Sequence, residues 1–199
     1  GAIYMGRNPS QTGNLFRFNY FHHTATTHVG SYGNSGIFVD DGDSGQHIFG
    51  NVFYKTGSNG AVKYHGGQYN EFINNVVVDC PRTVRYQLWS PERWHDFLHE
   101  DRMQKKLLEE VNILEPPYST RYPKLAKIFE APYTKESHIE ERNYATTAGD
   151  PVFADGTRED FRIRDLAAVQ AKVPGFEPIP FEEIGPYLDD YRPAVTGRQ

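Results

Sequence analysis

Gly36-Ile-Phe-Val-Asp-Asp-Gly, then Gln46-His-Ile-Phe-Gly-Asn-Val-Phe-Tyr, is a pattern that this chain writes again about one turn later. It returns as Ala61-Val-Lys-Tyr-His-Gly-Gly followed by Tyr69-Asn-Glu-Phe-Ile-Asn-Asn-Val-Val-Val, and Thr83-Val-Arg-Tyr-Gln begins it a third time. Asn51 and Asn75 stand 24 residues apart, Ile37 and Val62 stand 25 apart. A period of this length, built from short apolar runs punctuated by Gly and Asn, marks a solenoid. The runs alternate apolar and polar over three to five residues, which is strand periodicity and not the i, i+3, i+4 pattern of a helical repeat. The reading is three strands per turn: 37–41 or 62–66, then 47–49 or 71–73, then 52–54 or 76–78.

In each turn the third strand follows an Asn. Asn tolerates left-handed backbone, and its amide can bond to the equivalent Asn one turn away, so Asn19, Asn51, Asn75 and Asn143 are predicted to form one ladder along a corner. With these residues in place, the chain resembles the right-handed parallel β-helix proteins of the pectate-lyase-like superfamily, over residues 1–89 and, less fully, 138–165. The resemblance implies an all-β solenoid of right-handed parallel β-helix type, secreted or periplasmic in setting, like the secreted bacterial β-helix enzymes that degrade polysaccharides.

The chain has 199 residues, enough for one core and an appendage. Its net charge of −5 lacks the basic footprint of a nucleic-acid binder. The single cysteine, Cys80, excludes an internal disulfide framework. No run of eighteen apolar residues is present, so no membrane span is expected.

Within residues 1–165, a first turn is expected from Ala2–Gly6, Leu15–Phe18, Asn19 and Tyr20–His23. A helical insertion is expected over 90–137: Ser90-Pro91 starts it as N-cap and first helical residue, and Trp94, Phe97, Leu98, Leu107, Leu108 and Val111 lie at helical spacing. That implies one helix of about twenty residues, with a second short one over 124–129. Asn143 resumes the repeat, and 166–199 reads as a closing segment. Because Gly1-Ala-Ile-Tyr-Met-Gly already reads as a strand, earlier turns or a second protomer are expected to cover the open end.

Alternation sorts the first strands into faces. With Ile3, Met5, Ile37, Val39, Val62, Tyr64, Val84 and Tyr86 inward, one outward column holds Tyr4, Phe38, Lys63 and Arg85, and the next holds Gly6, Asp40, His65 and Gln87. Aromatics, a carboxylate, an imidazole and two cations on turns about 4.8 Å apart describe a binding groove better than a solvated sheet face. The candidate catalytic residues are Asp40, Asp41, His65, Lys63 and Arg85. Tyr4, Phe38, Gln87, Trp89, Asp43, His28 and Tyr32 are the candidate substrate contacts, the last two on the loop 24–35. The Gly pair at 66–67 would let a ligand approach the backbone. His22 and His23 fall in a third strand away from this face, and at least one is expected to be structural.

Asp40-Asp-Gly-Asp-Ser-Gly45 resembles the Asp-Asp-Gly-x-Ser-Gly run of β-helix glycoside hydrolases, where an aspartate of this strand is catalytic, though such sequences also make ordinary turns. Three functions remain open for a polysaccharide or oligosaccharide partner. One is a glycosidase using Asp40 and a second carboxylate. Another is a lyase in which Lys63 removes a proton while Arg85 neutralises a uronate. The third is a β-helix that only binds glycan. No cofactor is expected; calcium would have only this carboxylate cluster to supply its six or more oxygens.

Overall fold

The computed structural model describes residues 1–24, 33–185 and 190–191. Three parallel sheets of four strands each stack into a solenoid. The first sheet contains β1 (Ile3–Gly6), β4 (Ile37–Asp40), β7 (Val62–His65) and β10 (Val84–Gln87). The second contains β2 (Leu15–Arg17), β5 (His47–Phe49), β8 (Glu71–Ile73) and β11 (Ile139–Glu141). The third contains β3 (Tyr20–His22), β6 (Val52–Tyr54), β9 (Val76–Val78) and β12 (Tyr144–Thr146).

Register follows the repeat: Ile37 pairs with Ile3 and Val62, and Val39 with Met5 and Tyr64. Ile37, Val39, Val62 and Tyr64 are completely buried in the solenoid core, together with Phe53 and Phe72. A one-residue slip would turn this whole set outward, so burial holds the register.

The Asn ladder is present. Asn19 donates its side-chain amide to Asn51 Oδ1 at 2.9 Å, Asn51 to Asn75 at 3.0 Å and Asn75 to Asn143 at 3.0 Å. A second ladder, not anticipated from the sequence, stands one corner earlier: Asn14 bonds Gln46, Asn70 Oδ1 accepts from the Gln46 amide, and His138 Nδ1 accepts from the Asn70 amide. The corners also share a slot for a left-handed residue. Arg7, Asp41 and Gly66 occupy it after the first strand, Phe18, Gly50, Asn74 and Arg142 after the second, and His23, Lys55 and Asp79 after the third. Left-handed backbone turns the chain sharply without consuming further residues.

The helical segment lies between β10 and β11 but is not one helix. Helix α1 (Pro91–His99), capped by Ser90 Oγ accepting from the Arg93 amide, ends where Glu100 turns extended. Helix α2 (Asp101–Gln104) runs into a wide π-type turn over Lys105–Glu110. Gln104 donates its side-chain amide to the Leu98 carbonyl, which satisfies the broken end of α1. The expected second helix is a single 3₁₀ turn, Leu125–Lys127, preceded by a short α3 (Tyr118–Arg121). Trp94, Leu98, Met103, Leu107, Ile113, Leu125 and Ile128 give this insertion its own apolar core.

Beyond β12 an antiparallel hairpin, β13 (Phe153–Asp155) and β14 (Asp160–Ile163), precedes α4 (Leu166–Lys172). Phe153, Phe161, Val169, Phe176 and Ile179 pack on Val52, Tyr54, Val76 and Val78, which lie on the outer side of the third sheet. Both faces of β6 and β9 are therefore buried, which is why these strands read as continuous apolar runs.

Candidate active site

The outer side of the first sheet carries both expected columns, since Tyr4 pairs with Phe38, Phe38 with Lys63, and Lys63 with Arg85. At the strand ends Asp40, from β4, meets His65, from β7: His65 Nδ1 lies 2.7 Å from Asp40 Oδ1. The left-handed corner at Asp41 (φ 41°) brings its carboxylate onto the same imidazole, 3.3 Å from Nδ1. Both carboxylates therefore use Nδ1, and Nε2 is the ring nitrogen that neither engages.

Asp40 is the acceptor of a small network. Its Oδ2 takes the Tyr4 hydroxyl at 2.9 Å and its Oδ1 also takes the Asp41 backbone amide at 2.9 Å. Arg7 Nε donates to Asp41 Oδ2 at 2.7 Å. Arg7 was missed in the sequence, although Arg7 and Asp41 occupy the same corner slot one turn apart. Trp89 stands edge-on to His65 at 5.6 Å, and the Arg93 guanidinium covers its ring at 4.1 Å. Phe97 adds a T-shaped contact to Trp89 at 5.2 Å. Beside the dyad opens a pocket of about 460 Å³, lined by Arg7, Asp41 and Trp89 on the solenoid side and by Arg93, Asp96 and Glu100 on the helical wall.

Lys63 does not stand open to the groove as expected. It is only 2% exposed, with its Nζ 4.4 Å over the Phe38 ring. Burial pushes its pKa down and the neighbouring Arg85 adds to that, while Asp40 and Asp41 oppose it. Arg85 itself donates to Asn59 Oδ1. Tyr4, 57% exposed, meets Phe38 edge-on at 5.6 Å and gives the groove its open aromatic surface. Gln87 is exposed at the end of β10, in register with His65.

Two expectations are corrected. Asp43 does not face the groove: it is fully buried in the corner, accepting from Gln46 Nε2 at 2.6 Å, and burial pushes its pKa up to about 7 against that bond and one from Ser44. Gly66 and Gly67 give no ligand access either. A Cβ on Gly66 would meet the Trp89 ring at 2.9 Å and one on Gly67 would collide with the Asp43 carbonyl oxygen, so chain packing occupies the space that their missing side chains leave. His28 and Tyr32 lie outside the described residues.

No protein-family model, curated protein or solved structure matches this chain.

Asp40, Asp41 and His65 each offer one ligand atom within 4.8 Å of the others. Two carboxylates, an imidazole and a guanidinium already on Asp41 make a poor calcium shell, which takes six to eight oxygens. As they stand, a carboxylate orients the imidazole through Nδ1, the geometry that acid–base chemistry at the other ring nitrogen would need. Among the described residues, no helix is long and apolar enough to cross a membrane.

Proposed function

We propose that this chain is a right-handed parallel β-helix that cleaves a glycosidic linkage of an extracellular polysaccharide by hydrolysis, on the outer face of its first sheet. The observation that carries this reading is the Asp40–His65 pair, 2.7 Å apart at the strand ends, with Asp41 on the same imidazole and lining an open pocket. Tyr4 and Phe38 offer an aromatic surface along the groove, the kind of apolar body with a polar tip that suits the mixed faces of a sugar.

Glycoside hydrolysis uses two groups that flank the scissile bond, a proton donor and a nucleophile about 5–5.5 Å away or a base about 6.5–9.5 Å away. Asp40, Asp41 and His65 are too closely clustered to be both partners, so they act as one. The second group then comes from the facing helical wall, where Asp96 and Glu100 line the pocket. In this scheme Asp40 orients His65, His65 Nε2 moves a proton, and a carboxylate of α1 or its end completes the pair.

A lyase is the second reading, favoured by one observation: burial and Arg85 ease Lys63 toward its neutral, basic form. Its Nζ, held over Phe38 and almost unexposed, would first have to leave that ring.

Screening polysaccharides for new reducing ends and for the ultraviolet absorbance of an unsaturated sugar separates these readings. For the hydrolase, Asp40→Asn and His65→Ala should each lower the rate by roughly 10² to 10⁴, the usual worth of a positioned acid or base, and Lys63→Ala by much less. An unsaturated product with Lys63→Ala as the most damaging change would establish the lyase. Binding without any cleavage would reduce the chain to a glycan-binding module.

A further inference from the structure

Away from the groove, the first corner of the third sheet gathers a second cluster of chemically active side chains. His22 ends β3, and His23 follows in the left-handed corner slot that Lys55 and Asp79 fill in the next turns, at φ 49°, 51° and 49°. This backbone turn folds the His23 ring back toward its neighbour, so that the two Nδ1 atoms stand 3.1 Å apart. Aromatic contacts set both ring planes: Tyr20 stacks on His22 at 4.5 Å and Tyr54 meets His23 edge-on at 5.1 Å. From the turn before β14 comes Glu159, itself left-handed at φ 65°. Its Oε1 lies 3.6 Å from His23 Nε2 and its Oε2 accepts from the Tyr20 hydroxyl at 3.5 Å.

We propose that His22, His23 and Glu159 form a surface site for a divalent transition-metal ion of the zinc type, with the two Nδ1 atoms as ligands and Glu159 orienting His23. Two Zn–N bonds of about 2.0–2.1 Å at a tetrahedral angle put their nitrogens about 3.3 Å apart, close to the separation already present. Glu159 sits on the opposite nitrogen of His23. That is where a carboxylate accepts the remaining N–H of a metal-bound imidazole, fixing its tautomer and raising its basicity. All three residues are exposed, and their ligand atoms lie within 4.8 Å of one another, so an ion can enter and water can complete its shell. Imidazole ligands select zinc, copper or nickel over calcium and magnesium. Because Glu159 lies in the C-terminal hairpin and the histidines lie in the solenoid, the bond that Glu159 accepts from a metal-bound His23 would link the two.

Another histidine pair shows why spacing alone is insufficient. His95 and His99 stack on α1 at 4.0 Å, but His99 Nδ1 is engaged by the His95 carbonyl oxygen and His95 Nδ1 lies 3.4 Å from Asp96.

The test is calorimetric titration of Zn²⁺ into the whole chain at neutral pH, with variants screened for unchanged circular dichroism. Wild type should bind one Zn²⁺ at this site. His22→Ala should lose that binding, as should His23→Asn, which keeps a residue suited to the left-handed corner. Glu159→Gln should weaken it by about 10- to 100-fold, the usual effect of removing an orienting partner. His95→Ala and Asp40→Asn should leave it unchanged. Co²⁺ offered instead should develop visible d–d bands in wild type that are absent from His22→Ala. The proposal is overturned if Zn²⁺ does not bind, if the His22 and His23 variants bind as tightly as wild type, or if binding is lost instead in the His95 or Asp40 variant.

Discussion

Asn75→Ala is the most direct test of what holds the turns in register. Asn75 is completely buried, and its side chain makes five contacts. Its Nδ2 donates to the Ile48 and Ile73 carbonyls and to Asn143 Oδ1, and its Oδ1 accepts from the Asn51 backbone amide and side chain. A hydrogen bond contributes about 1 kcal/mol net, and a buried donor left unpaired costs more than an average bond lost. Truncation leaves the buried Asn51 amide without this acceptor and opens a small void, so we expect a loss of about 3–5 kcal/mol. That is a large part of the 5–15 kcal/mol typical of a whole domain. Asn19, at the exposed end of the same ladder, donates only to the Arg17 carbonyl and Asn51, and Asn19→Ala should cost about 1 kcal/mol. Urea unfolding followed by circular dichroism gives both values, provided the denaturant slope is unchanged. Equal losses at the two positions, or a loss below about 1 kcal/mol at Asn75, would show that the ladder follows from the stacked sheets and does not stabilise them.

Two buried groups should give the chain opposing pH dependences. Asp43, raised by burial to about 7 from a model-peptide 3.8, contributes stability that is whole below pH 3.8 and is lost as pH rises through about 7. Asp43→Asn keeps an acceptor for Gln46 without the charge, so it should match wild type at pH 4 and exceed it by on the order of 2 kcal/mol at pH 8. A lower urea midpoint than wild type at pH 8 would contradict this. His138 is lowered by burial from 6.5 to about 4, so its contribution is whole above pH 6.5 and fades as pH falls through about 4. His138→Asn continues the second ladder with an amide and should flatten the acid side of the stability profile between those values, as thermal melts would show; an unchanged acid limb would count against it.

Most of the solenoid was legible in the chain because every turn repeats the geometry of the last. Strand alternation has a period of two and the central turn spans 24 or 25 residues, so comparing Ile37 with Val62, or Asn51 with Asn75, is already a statement about contact. That alone sets Asp40 beside His65. Asp43 escaped the same logic, because it lies in a corner and not in a strand, where alternation no longer tells inside from outside. The second ladder was hidden by chemistry: Asn, Gln, Asn and His do not look alike, and 68 residues separate Asn70 from His138.

Tertiary structure alone decided the contacts that no repeat relates. Trp89 meets His65 and is covered by Arg93 because the insertion folds back on its own apolar core, and Lys63 is covered because Phe38, one turn away, offers its ring. His23 and Glu159 meet only because the C-terminal hairpin packs Phe161 against Tyr54 and Tyr20. Such contacts depend on where an irregular segment finds apolar surface to bury, and burial is non-directional. The repeat therefore determined the groove floor, whereas its walls and the His22–His23–Glu159 cluster were set by packing between segments far apart in the chain.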